Sequence, residues 1–163
     1  MGYNYLYVGN SNNFTLIAED LLQGDIFYEN NITEELVDNY INKLTNGDSI
    51  TAVFSTIKIP GIMAKLLSIA KLFDSTIIIN TPIMTSLRPS IKHYIDHVIL
   101  DSTLSIKVYD KIYTQLCTDI INRKMYDSYI QFISDYDYIF IYDKENIGIY
   151  SLDESDTVQV IQI

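Results

Sequence analysis

The chain has 163 residues, of which 48% are hydrophobic and 20% charged, and carries a formal net charge of −10 from 11 basic and 21 acidic residues. That length and apolar content fit one globular domain spanning 1–163 and exclude a disordered chain. The acid excess, with no basic run, argues against a direct nucleic-acid binder, whose affinity would come from Lys and Arg on phosphates.

Cys117 is the single cysteine, so no intrachain disulfide is possible and a reducing compartment is natural. No apolar run approaches the roughly 18 to 20 residues that cross a bilayer, and the N-terminus lacks the pattern of a secretory leader. A cytoplasmic protein with no membrane contact is expected.

In chain order, Tyr3–Val8 (YNYLYV) reads as a strand stopped by the polar turn Gly9-Asn10-Ser11-Asn12-Asn13. Phe14 to Gln23 has helical spacing and ends at Gly24, and Asp25–Glu29 is a short strand or an extended connection. Thr33 is a good N-cap, followed by Glu34 and Glu35 in the first turn of a helix that runs to about Leu44 and stops at Asn46-Gly47. Ser49–Ser55 (SITAVFS) is a buried strand. Pro60-Gly61 then breaks the chain before a strongly apolar helix over Ile62–Phe73. Thr76–Asn80 (TIIIN) is a continuous apolar strand of the kind covered on both faces.

Ser90 is read as the cap of a helix to about Leu100, Leu104–Tyr109 as an alternating strand, and Lys111 to about Ser134 as helical. Tyr138–Tyr142, Ile147–Leu152 and Thr157–Ile163 read as strands, the last two joined by the acidic turn Asp153–Asp156 and able to form a hairpin. Strands alternating with helices predict an α/β domain: a flavodoxin-like, doubly wound, mostly parallel sheet with helices on both faces. In such sheets ligands bind beyond the carboxyl ends of the strands, at the point where the strand order reverses. Gly9–Thr15, Ser55–Pro60 and Asn80–Pro89 are the segments that can meet there.

Gly9–Thr15 (GNSNNFT) offers small polar groups at a helix start, which suits a phosphate, or else forms a plain turn and cap. With no lysine and one glycine it is neither a P-loop nor a GxGxxG fingerprint. His93 and His97, four apart, are taken to lie on one helix face; with no third ligand they read as surface residues rather than a metal site. Lys92 with Asp96 reads as a solvated i,i+4 pair. Tyr126, Tyr129, Tyr136 and Tyr138 read as packing or an oligomer surface, and Cys117 as buried and inert.

Thr81-Pro82-Ile83-Met84-Thr85-Ser86, then Pro89, then Lys92-His93-Tyr94-Ile95-Asp96-His97-Val98 resembles the loop and helix of the FMN-dependent NADH azoreductases and quinone reductases of the flavodoxin-like fold. Asp38–Pro60 and Ser102–Tyr109 resemble flanking parts of that family, so the likeness spans about residues 3 to 110. The resemblance implies FMN, with its phosphate on Asn10, Ser11, Asn13 and Thr15 and its ring edge along Pro82, Ile83, Met84 and Thr85. It also implies NADH or NADPH as co-substrate, a quinone or azo substrate, and a homodimer. FMN brings the redox chemistry, so no side-chain acid or base is required. The family's loop aromatic and Asn are Met84 and Thr85 here, and its Gly-Gly loop after the fourth strand has no counterpart, Gly148 being the only glycine beyond Gly61.

Those departures keep a second expectation open, a non-catalytic acidic α/β protein that binds a protein partner as an inhibitor or DNA mimic. A third is a nucleoside deoxyribosyltransferase-like enzyme. The layout fits it, but Lys65 stands where its helix would need an acid.

Overall fold

A computed structural model describes residues 2–9, 25–55, 60–81, 88–136, 138–142, 147–151 and 158–161. The strands are β1 (Asn4–Val8), β2 (Ile26–Glu29), β3 (Thr51–Ser55), β4 (Thr76–Thr81), β5 (His97–Leu100), β6 (Tyr138–Tyr142), β7 (Ile147–Ser151) and β8 (Val158–Ile161). They form one sheet in the order β2-β3-β4-β1-β5-β6-β7-β8. The pairings among β1 to β5 are all parallel, and β6, β7 and β8 extend the sheet antiparallel. The doubly wound α/β architecture is the one expected. Its order differs from the 2-1-3-4-5 of flavodoxin-type sheets, because β4 rather than β3 lies beside β1. The C-terminal hairpin forms and belongs to the main sheet.

The described helices are α1 (Glu34–Thr45), α2 (Pro60–Leu72), α3 (Pro89–Lys92), α4 (Ile106–Ile112), a π-helical turn (Tyr113–Cys117) and α5 (Arg123–Tyr136). The Thr33 side chain caps α1 by accepting from Leu36 N–H, and Gly47, at φ 96°, closes its far end. The helix expected over residues 14–23 and the acidic turn at 153–156 lie outside the described residues.

Three expectations on the second half are corrected. The helix after Pro89 lasts one turn, with Ser90 inside it rather than capping it, and His97–Leu100 is β5. The tie that ends it is reciprocal: Asn4 N–H donates to Asp96 Oδ2 at 2.9 Å, and Asp96 N–H donates to the Asn4 carbonyl at 2.9 Å. This draws Val98-Ile99-Leu100 into the sheet beside β1. Leu104–Tyr109 is no strand: Ser105 caps α4, with Val108 N–H directed at its hydroxyl. The long helix expected from Lys111 is interrupted, and Asn122 restarts it by accepting from Met125 N–H at 2.9 Å.

One face of the sheet (Leu6, Val8, Ala52, Phe54, Ile77, Ile79, Val98, Leu100) shares a continuous core with residues of all the described helices, including Val37, Leu44, Met63, Leu66, Leu67, Ile91, Ile112 and Tyr126. The opposite face is buried too: Tyr7, Val53, Ile78 and Ile99 are at most 2% exposed. A sheet covered on both sides explains why TIIIN reads as an unbroken apolar run rather than an alternation.

Candidate functional site at the carboxyl rim of the sheet

The carboxyl ends of the five parallel strands meet at one rim. Val8 is in register with Thr81 of β4 and with Leu100 of β5, and Ser55 of β3 is in register with Asn80. Gly9 N–H donates to the Thr81 carbonyl at 3.1 Å and Asp101 N–H to the Val8 carbonyl at 3.3 Å, so both ladders continue past the strands. The chain runs from β1 to β2 in one direction across the sheet, and from β3 to β4 and β4 to β5 in the other. With right-handed crossovers those connections leave on opposite faces, so the switch point falls between β1 and β4.

Strand alternation puts a row of polar side chains on the face away from the helical core, at this rim. In order across the sheet they are Asn30, Ser55, Asn80, Tyr7 and Asp101, at the ends of β2, β3, β4, β1 and β5. Ser55 Oγ donates to Asn30 Oδ1 at 2.8 Å. Tyr7 Oη donates to Asp101 Oδ2 at 3.0 Å. Asp101 is fully buried, and its Oδ1 accepts from Thr103 N–H at 2.9 Å and from the Thr103 hydroxyl at 2.5 Å. Tyr109 Oη donates to the Asp101 carbonyl at 2.5 Å, and Tyr126 Oη to the Tyr109 carbonyl at 2.8 Å, so α4 and α5 brace the rim from behind.

Gly9 is required by close approach. Its φ is 154°, and a Cβ there would lie 2.2 Å from Asp101 Oδ2. Burial, then the negative charge of Asp101 and the hydrogen bond to it, raise the Tyr7 phenol well above the ordinary tyrosine range. Burial pushes Tyr109 up to about 12. Both phenols therefore remain protonated donors at neutral pH. In the middle of the row, Asn80 Oδ1 is buried with no hydrogen-bond partner, in a residue only 7% exposed.

The residues expected to hold a cofactor, Asn10, Ser11, Asn13, Thr15, Pro82, Ile83, Met84 and Thr85, lie outside the described residues. What the structure supplies is the strand ends from which their two turns depart, and those ends are hydrogen-bonded neighbours. Tyr7, Asn80 and Asp101 belong to no sequence motif. The available signal was polar residues at the ends of apolar runs, in YLYVG, IIINT and VILDS.

Elsewhere the expected pairs separate. His97 is a strand residue stacked on Tyr5 at 4.7 Å, whereas His93 follows α3, so they share no helix face. No cluster of three His, Cys, Asp or Glu suited to a metal occurs among the described residues. Asp96 pairs with Lys71 at 2.5 Å rather than with Lys92. Cys117 is fully buried, and Tyr126 is core, as expected. A groove of about 370 Å³ lies at the opposite, amino end of β5, between Lys92–Asp96 and Gln115–Ile120.

No family model matches the chain, and no curated protein matches it in sequence. Solved structures do match in fold. The DNA-packaging ATPase B204 of Sulfolobus turreted icosahedral virus superposes with a TM-score of 0.59 at 14% identity, over 91% of this chain and 97% of that one. The genome-packaging NTPase B204 of Sulfolobus turreted icosahedral virus 2 matches in its ATP-gammaS complex with a TM-score of 0.57 at 11% identity, over 98% and 96%. Its sulfate complex gives 0.58 at 10% identity, over 91% and 95%. At these identities the likeness shows the fold alone, a doubly wound α/β sheet.

Proposed function

We propose that the chain binds a mononucleotide-type ligand, a phosphate joined through a sugar or sugar-like chain to a planar ring, at the carboxyl rim of the β1–β4 switch point. The observation that carries this reading is the adjacency of β1 and β4 there, with a polar row on the shared face whose Tyr7, Asn80 and Asp101 are buried. Open α/β sheets bind ligands at such points because the two chains leaving the rim part to opposite faces and leave a crevice. The B204 neighbours, of like fold, have been solved with ATP-gammaS, AMPPCP and AMP. Their complexes support a nucleotide as the ligand class.

The site is not built for rapid phosphoryl transfer. Gly9–Thr15 has no lysine to cradle a β- or γ-phosphate, and β3 closes on Ser55 where a magnesium-holding acid would be needed. The role is therefore binding, with little or no ATP turnover.

The second reading is the FMN-dependent NAD(P)H oxidoreductase, acting on quinone or azo compounds as a homodimer. The departure of the turns after β1 and β4 from paired residues favours it, since an FMN site needs both on one rim. The strand order weighs against it, because flavodoxin-type sheets hold FMN where β1 adjoins β3. The described rim residues are neutral or acidic and suit the polyol or ring edge of FMN; its phosphate would fall to Asn10, Ser11, Asn13 and Thr15. When bound, FMN supplies hydride chemistry.

One experiment separates the readings. The purified protein is scanned between about 350 and 500 nm, then titrated calorimetrically with AMP, ATP-gammaS and FMN. Binding of adenine nucleotides with a colourless protein supports the first reading, and a flavin band or tighter FMN binding supports the second. Failure of all three ligands to bind overturns both, and leaves the acidic partner-binding protein and the deoxyribosyltransferase-like enzyme.

A further inference from the structure

Asn80 is the one buried residue at the rim whose hydrogen bonding the described chain leaves incomplete on its acceptor side. Its neighbours in the row do not complete it. A hydroxyl has a single proton, and each neighbour directs that proton away from Asn80: Ser55 toward Asn30, Tyr7 toward Asp101. The two hydrogen bonds thus polarise the row outward and leave an acceptor at its centre. A buried carbonyl without a donor is costly, and fold stability alone would favour an apolar residue there. The cost is recovered when a bound molecule brings a donor.

We infer that Asn80 is the specificity-determining contact of this site, and that it selects ligands presenting a neutral N–H or O–H donor, so that a hydroxyl or amino group of the ligand, and not its phosphate, enters deepest against β4. The inference rests on the mononucleotide reading above. Phosphate oxygens are acceptors only, and Asp101 is a carboxylate at the same rim, so an anionic group is poorly matched to this position. The donor has two possible sources, a sugar hydroxyl or an exocyclic amino group on the ring.

The test compares wild type with Asn80→Leu, an apolar residue of similar size, and with Asn80→Val as the fallback if the leucine variant does not fold. Each is titrated with AMP, with purine riboside 5′-monophosphate, which lacks the amino group, and with 2′,3′-dideoxy-AMP, which lacks the hydroxyls. In wild type, loss of whichever group reaches Asn80 weakens binding about tenfold or more. In the variant the matched pair of ligands binds equally. Without ligand the variant melts at or above the wild-type temperature, because the unmatched acceptor is gone. Equal discrimination by variant and wild type, or a variant melting clearly lower while retaining full discrimination, overturns the inference and leaves the mononucleotide reading standing. Failure of wild type to bind any of these adenine or purine nucleotides defeats that reading and the inference with it.

Discussion

Gly9 and Asp101 set the geometry of the rim between them. The glycine's missing side chain is where the carboxylate sits, and the carboxylate is fixed in turn by Tyr7 and Thr103. Gly9→Ala forces the two apart and should cost about 1–3 kcal/mol in denaturant unfolding; an unchanged midpoint would mean that the contact carries no strain. The buried phenols give a second prediction. Tyr7, Tyr40, Tyr109 and Tyr126 are all raised, chiefly by burial. Unfolded tyrosines ionise near pH 10, so the folded state holds extra protons above that pH. Their contribution is complete below about pH 10 and is lost as pH rises through the folded values. Absorbance titration at about 295 nm should show these phenols ionising only with cooperative alkaline unfolding. Ionisation of every tyrosine of the chain in a protein that stays folded would contradict their burial. None of this was legible residue by residue: Asp101 reads in sequence as an ordinary acid after VIL, and only β1–β5 pairing brings it to Tyr7.

Elements whose signals are local were readable. Thr33 with Glu34 and Glu35 marks the start of α1 because the cap and dipole act within one turn. The apolar runs SITAVFS and TIIIN mark β3 and β4 because burial on both faces leaves no alternation to miss. Local pattern misleads where non-local contacts decide. Helix-like spacing across Lys92–Val98 is overridden by the Asn4–Asp96 exchange, which commits His97–Leu100 to the sheet. In Ser105–Tyr109 the alternation hid a cap. The cap gives a test: Ser105→Ala should destabilise α4 by about 0.5–2 kcal/mol, and Ser105→Asp should restore most of it. Since α4 carries Tyr109 against the Asp101 carbonyl, hydrogen exchange at Asp101 and Thr103 should speed up in the alanine variant. Exchange confined to α4 would show that the helix and the rim are uncoupled.

On the scale of the whole molecule, strand order is the property least accessible from sequence, because pairing β1 with β4 joins segments separated by two strand–helix units. That order moves the switch point from the β1–β3 boundary of flavodoxin-type sheets to β1–β4. Charge is readable without coordinates. With 21 acidic and 11 basic residues, the chain should not retain duplex DNA on a filter even at low salt, although its fold neighbours are DNA-packaging ATPases; salt-sensitive retention would refute that. The central claim concerns place: a phosphorylated ring ligand sits at the rim where β1 and β4 end. Amide chemical-shift mapping during titration with AMP, repeated with FMN, reads this directly. The account predicts shifts concentrated at Gly9, Ser55, Asn80, Thr81 and Asp101. Shifts centred instead on the groove between Lys92–Asp96 and Gln115–Ile120, or none with either ligand, would contradict it.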